Sequence, residues 1–331
     1  MVAVHLRERP RMTEKWRLLA DIGGTNARFA LQRAGAPAER IIVLPSEAYD
    51  GLASAAMAYL SQAGDVPEID RAAVCVAGPV IGDKLALTNV PWRFSIEQTR
   101  RELGLDQLRV VNDFAAVALA VPHLDSTMLV QIGGARAIAQ APIVVMGAGT
   151  GLGVCGLVPS PRGGWLPVPG EGGHATLAAM SEREDAVFGH IRTRYGHCSG
   201  ERVLSGSGLV NVYEAIAAID GQVADPVEPA DVTRLAAEGD PLADEAVEIF
   251  CQAAGTVAGS LVLTFTAIGG VYLAGGVMRL LGDRFVRSGF RERFEAKGRF
   301  RDLLATVPAF QITEGFSAMV GLAALLDGEK G

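Results

Sequence analysis

Apolar runs of strand length, each broken by a glycine-rich polar insert, set the pattern of this chain. Leu18 to Ala20 and Phe29 to Leu31 read as two short strands, and the insert from Asp21 to Asn26 has about the length of a tight hairpin loop with glycine at its centre. LLADIG, RFALQ, IIVLP, AAVCVAG, KLALTN and LRVVND predict strands, and ASAAMAYLSQ, Ser95 to Leu103 and FAAVALAV predict the helices that cover such a sheet. PIVVMGAGTGLGVCGLVP opens a second half with the same succession of apolar strand, glycine-threonine loop and apolar strand. LLADIGGTN and VVMGAGTGL share that shape about 125 residues apart, which predicts two related lobes facing each other.

The later chain reads as mostly helical. Ser181 with Glu184 has the spacing of a capping box, Asp240-Pro241 reads as an N-cap followed by proline in the first turn, and the helix begun there is expected to run to Gly269 before the strand VYLA. The expected layout is a flexible extension over 1–15, a small α/β lobe over 16–123 with a C-terminal helix over 314–328 packed back on it, and a large α/β lobe over 124–313.

Charge and composition narrow the possible partners. A net charge of -7 on 331 residues argues against a nucleic-acid surface, so any phosphate must be handled locally, by backbone amides and a metal. Gln252 to Met278 carries no charge and is long enough for a membrane helix, but Gly269-Gly270 and Gly275-Gly276 divide it into a helix end, a strand and a glycine loop, as expected of a core. No membrane partner is expected. The basic N-terminal residues lack the apolar centre of a signal peptide, and Cys75, Cys155, Cys198 and Cys251 form no C-x-x-C pair, so a reducing cytoplasm is the expected location. His190, His197 and Cys198 match no usual zinc spacing.

The inserts hold the candidate chemistry. Gly23 and Gly24 would let the backbone approach a ligand, Thr25 and Asn26 can donate hydrogen bonds, and Asp21 can hold a cation at a strand end. A glycine turn with a capping aspartate fits those residues as well. In GAGTGLG, Gly147 to Gly153, the glycines exceed what a packed strand wants, and Thr150, beside Gly149, could meet a phosphate oxygen. Gly151 to Gly156 spells G-x-G-x-x-G, yet a strand follows where a dinucleotide fingerprint needs a helix, and no P-loop motif occurs. Asp113 after Asn112 is either a helix cap or a base for a hydroxyl proton. Glu171 and His174, in PGEGGH, could bind vicinal hydroxyls, and Glu201 is either a further hydroxyl ligand or a helix cap. Gly275 and Gly276 form another close-approach loop. Two phosphate loops, a metal carboxylate, a base and several hydroxyl ligands are the equipment of a sugar kinase.

DIGGTNARFAL, TNVPWRFSI, VVNDFAAVALAVP, GAGTGLGV, LPVPGEGGH, ERVLSGSGLVNVY, LAGGV and SGFRERFEAKGRF resemble, in that order, the bacterial glucokinase family of the actin, hexokinase and heat-shock ATPase superfamily. The resemblance runs from about residue 16 to 325 and implies an α/β fold of two RNase-H-like lobes with a cleft between them. It also implies ATP and Mg2+ as cosubstrate and cofactor, glucose as acceptor, and a homodimer. Asp113 would be the general base, and Asn112, Glu171, His174 and Glu201 the sugar ligands, with Gly151 nearby. Asp21 would serve the metal, and Gly23, Gly24, Thr25, Asn26, Gly149, Thr150, Gly275 and Gly276 the nucleotide. ATLAAMSERED stands where related repressor-type kinases carry a cysteine-rich zinc loop, so no structural zinc is expected. The C-terminal ITEGFSAMVG lacks the Asn-Pro turn of close relatives.

Alternatives are another hexose acceptor (mannose, fructose or an N-acetyl hexosamine), a sugar-responsive regulator and a nicotinamide dehydrogenase. The regulator would need a helix-turn-helix that the extension before Trp16 is too short to hold, and the dehydrogenase rests on the failed fingerprint.

Overall fold

The structure, a computed structural model, describes residues 16–66, 68–87, 89–313 and 318–328. The extension expected over 1–15 and residues 314–317 of the expected last helix lie outside the described residues. Contacts divide the chain into two units, Met1–Asp113 with Leu322–Gly331, and Phe114–Gly321.

The first unit is built from strands β1 (Trp16–Ile22), β2 (Asn26–Arg33) and β3 (Glu39–Pro45), helix α1 (Leu52–Gln62), strands β4 (Ile69–Val76), β5 (Lys84–Ala86) and β6 (Arg93–Ser95), helix α2 (Ile96–Glu102) and strand β7 (Gln107–Asn112). Its main sheet has the order β3-β2-β1-β4-β7, with β5 and β6 as a separate hairpin. β1 runs antiparallel to β2 and parallel to β4, which is in turn parallel to β7. Leu18 to Ala20 are buried because both faces of β1 are covered, the condition that makes such strands read as continuous apolar runs. α1 turns Leu52, Ala55, Ala56 and Tyr59 inward, at helical spacing, and the Tyr59 ring stacks on Phe29 with centroids 5.3 Å apart.

Helix α3 (Asp113–Ala120) opens on the last residue of the first unit and continues in the second. There follow strands β8 (Leu129–Gln131), β9 (Ile143–Ala148), β10 (Leu152–Pro159) and β11 (Trp165–Gly170), helices α4 (Glu182–Tyr195), α5 (Gly206–Ile219), α6 (Pro229–Glu238) and α7 (Pro241–Phe265), and strand β12 (Gly270–Ala274). Helices α8 (Gly276–Leu281), α9 (Asp283–Arg287), α10 (Phe290–Glu295) and α11 (Arg301–Thr306), strand β13 (Ala309–Ile312) and helix α12 (Ala318–Asp327) complete the chain. The sheet order is β11-β10-β9-β12-β13-β8. β9 is antiparallel to β10 and parallel to β12, and β12 is parallel to β13. Each unit therefore carries the same motif, a three-strand antiparallel meander whose first strand starts a parallel set, and β8 is an addition to the second.

Two helix boundaries differ from the sequence reading. α7 stops at Phe265, where Thr266 takes a left-handed φ of 49° and Ala267 N donates to Val262 O, while Gly269 and Gly270 already lead into β12. Only the serine half of the capping box at α4 forms. Ser181 Oγ accepts from Glu184 N, but the Glu184 carboxylate accepts from Met180 N at 2.6 Å and takes Arg293 Nη1 on both oxygens, at 2.8 and 2.9 Å. The half-buried arginine draws that buried carboxylate away from the cap. Asp240 caps α7 as expected, accepting from Ala243 N at 2.8 Å.

α7 is long and apolar enough to cross a membrane, but it packs within the second unit against α5, α6, α10 and β9. Gly255 and Gly259 on α7 let the α10 backbone approach at Phe290 and Phe294, where any Cβ would collide with a carbonyl oxygen.

Candidate active site

In the first unit, β1, β4 and β7 are parallel and bring their C-terminal ends to one sheet edge, the edge where open α/β sheets bind ligands. Asp21 pairs in register with Cys75, Cys75 with Val111, and Val76 with Asn112. Asp21, Cys75 and the Asn112-Asp113 step are therefore neighbours. Asp21 Oδ1 accepts from the Cys75 thiol at 3.4 Å, and Oδ2 lies 3.3 Å from Arg28 Nη1. Burial, and then the negative charges of Asp21 and Asp113, push the Cys75 thiol well above its ordinary value, so it stays a neutral donor. Asn112 Nδ2 donates to Gly78 O at 3.1 Å. Asp113 is the first residue of α3.

The Asp21–Asn26 insert is a turn between β1 and β2, closed by Gly23 N on Asn26 O at 2.9 Å. Asn26 is already the first residue of β2. At Gly24 a Cβ would lie 2.9 Å from the Asn89 carbonyl oxygen, so a side chain there would force the two segments apart. The Thr25 and Asn26 side chains are exposed.

In the second unit, Gly149 N donates to Gly151 O, closing the turn between β9 and β10, and Gly206 N at the start of α5 donates to Gly149 O, both at 2.8 Å. Thr150 is exposed at the tip. The glycine-rich run leads into strand β10, which excludes the dinucleotide geometry. Glu201 is not a helix cap. Ser205 caps α5 by accepting from Gly208 N, whereas Glu201 Oε2 accepts from Leu152 N at 2.9 Å, in the space that a Cβ on Gly151 would occupy. Gly173 O accepts from Glu201 N at 2.8 Å, and Gly173 itself lies so close to Leu152 O that no side chain fits. These bonds lace the 149–152 turn, the Gly172–His174 turn and the Glu201 segment together.

His174 lies 4.0 Å from the Glu171 carboxylate and 3.9 Å from that of Glu201, with Glu171 and His174 more than half exposed. Two carboxylates and an imidazole around one solvent-facing point are suited to a polyol, whose hydroxyls each need a donor and an acceptor. Gly275 holds the end of β12 against the end of β9. Its φ is 99°, and a Cβ would overlap Ala148 O. Gly149 and Gly276, by contrast, have nothing within 4 Å of a Cβ position, which leaves open space beside them.

Phe114 was not singled out by the sequence. Gly147 and Gly153 sit directly opposite each other on β9 and β10, and the Phe114 ring occupies the space of both missing side chains. Two glycines of GAGTGLG thus seat an aromatic ring next to Asp113 in the chain, and Gly149 and Thr150 lie between them. Only the excess of glycine at both ends of the motif hinted at this.

The glucokinase family pattern matches residues 18–329. A bifunctional protein of Burkholderia pseudomallei is 49% identical over 311 residues, 94% of this chain and 48% of that protein, so the chain spans about half the length of such relatives. A glucokinase of Paramagnetospirillum magneticum is 48% identical over 314 residues, 95% of this chain and 98% of its own. The crystal structure of a glucokinase from an Antarctic psychrotroph superposes with a TM-score of 0.86 at 35% identity, covering 95% of this chain and 99% of that one. The chain has the actin/hexokinase-type α/β fold and belongs to the glucokinase family.

Proposed function

We propose that this chain transfers the γ-phosphoryl group of ATP to the 6-hydroxyl of D-glucose. Asp113 accepts the hydroxyl proton as that oxygen attacks phosphorus, the bond to the ADP oxygen breaks, and ADP leaves. Asn112, Glu171, His174 and Glu201 bind the sugar hydroxyls, with the Gly151 backbone beside them. Gly23, Gly24, Thr25, Asn26, Gly149, Thr150, Gly275 and Gly276 serve the nucleotide. Asp21 is a hard oxygen donor at a strand end, partly exposed, and its 3.3 Å contact with Arg28 is long enough to yield to a cation, so it fits Mg2+ shared with phosphates. Mg2+ supplies neutralisation of phosphate charge when bound.

The observation that carries this reading is the lacing of Glu201, Gly151, Leu152 and Gly173 beside Glu171 and His174, inside a chain matched by one family pattern nearly end to end. We also infer a glycolytic role in the cytoplasm as a homodimer, the latter to be checked by light scattering. The decisive assay is ADP release with MgATP against glucose, mannose, fructose, galactose and N-acetylglucosamine, beside a no-sugar control. Glucose is expected to dominate. Release with another hexose alone reassigns the acceptor, and no release with any sugar overturns the reading.

A further inference from the structure

TNVPWRFSI holds Trp92, to which no role has so far been given. Trp92 is fully buried, and its indole N–H is shared between Ser46 O at 3.1 Å and Tyr49 O at 2.7 Å. Leu87 N on Trp92 O, at 3.0 Å, fixes its backbone. Ser46, in the short turn after β3, is fully buried as well. Its hydroxyl donates to Gly23 O and its amide to Thr25 O, each at 2.9 Å. A single residue therefore holds two carbonyls of the Asp21–Asn26 loop.

That arrangement has a directional consequence. The described peptides are all trans, and in a planar trans peptide the C=O and the following N–H point in opposite directions. With the Gly23 and Thr25 carbonyls held on Ser46, the Gly24 and Asn26 N–H groups face the other side of the loop. Two N–H groups of one loop facing the same side offer an anion a pair of donors.

We propose that Ser46, locked by Trp92, is a positioning residue that sets the loop's amides for the nucleotide phosphates. The proposal rests on the reading of this loop as the phosphate site. Calorimetric titration of Ser46→Ala and Trp92→Phe with the Mg2+ complex of a non-hydrolysable ATP analogue, and separately with glucose, tests it. Loss of one such hydrogen bond is expected to weaken nucleotide binding about three- to tenfold while leaving glucose affinity at the wild-type value. Unchanged nucleotide affinity in both variants overturns the proposal, as does a parallel loss of nucleotide and glucose affinity, which marks general loosening. If Ser46→Ala does not fold, Trp92→Phe, which keeps an aromatic ring and deletes only the N–H donor, decides alone.

Asp21→Asn, titrated alongside, separates the two levels. Weakened nucleotide binding there with none in the other variants removes only the Ser46 role. Unchanged binding in all three removes the phosphate-loop reading too.

Discussion

In the DIGGTN loop of the first unit, two carbonyls are held from outside by the hydroxyl and amide of Ser46. In the GAGTG loop of the second unit, the turn closes on its own main chain, Gly149 N to Gly151 O, and Gly206 N adds a backbone bond. The flanking glycines there make room for others, Gly151 for the Glu201 carboxylate, and Gly147 and Gly153 for the Phe114 ring. Two loops of one sequence shape, at equivalent places in two sheets of one topology, are thus secured by different means. Both close on their own main chain, but the first adds a polar side chain where the second gives glycine space to a carboxylate and a ring, so they should fail in different ways.

The largest expected effect lies outside both loops. Asp113→Asn removes the proposed base and should lower kcat by ~10²- to 10⁴-fold while glucose binding, read by calorimetry, persists. Turnover at the wild-type rate would remove Asp113 from that role.

Added volume should next separate filled from open glycines within the second unit. Gly151→Ala drives a methyl into the Glu201 carboxylate and Gly173→Ala into Leu152 O, each expected to cost about 1–3 kcal/mol of stability and to weaken glucose binding. Gly149→Ala meets open space and should melt with the wild type while weakening the nucleotide. Equal melting of all three variants would break the distinction between filled and open glycines.

Deleting a polar group is the converse experiment. Glu201→Ala leaves the Leu152 N–H without its acceptor and should cost ~1–3 kcal/mol, whereas Glu201→Gln keeps an acceptor oxygen and should retain most of that stability. Thermal unfolding of the pair separates the hydrogen bond from the charge.

The smallest effect is on alkaline stability. Burial pushes the Cys155 and Cys251 thiols up to about 12 and Cys198 to about 11. Unfolded thiols ionise near ~8.5, so the folded values are raised. Their contribution is complete below that pH and is lost as pH rises toward the folded values. The melting temperature should hold to about pH 8 and decline above it, and a curve level to pH 10.5 would contradict the burial. These three thiols lie in the second unit and Cys75 in the first, so replacing the three with alanine should blunt the decline more than replacing Cys75.

Much of this was legible in the chain. Strands at LLADIG, RFALQ and IIVLP, the Asp240 cap and the failure of the dinucleotide fingerprint all followed from local pattern, because an apolar period or a capping offset involves residues a few positions apart. The duplicated strand-loop shape announced the duplicated topology. The end of α7 was misplaced by a local left-handed turn at Thr266, whereas at two other helix starts a distant group decided between the readings. Glu184 left its cap for Arg293, 109 residues away, and the start of α5 was capped by Ser205 because Glu201 was engaged at Leu152, 49 residues back.

The sequence by itself determined which segments are strands, which inserts are rich enough in glycine and polar groups to meet a ligand, and to which family those inserts belong. Only the tertiary structure decided what each glycine is for. Gly24 faces the Asn89 backbone, Gly151 a carboxylate, Gly153 an aromatic ring and Gly149 open space, yet all four are the same letter. The physical reason is that a missing side chain has no pattern of its own. Its meaning is the atom that fills the space, and that atom is brought there by the fold.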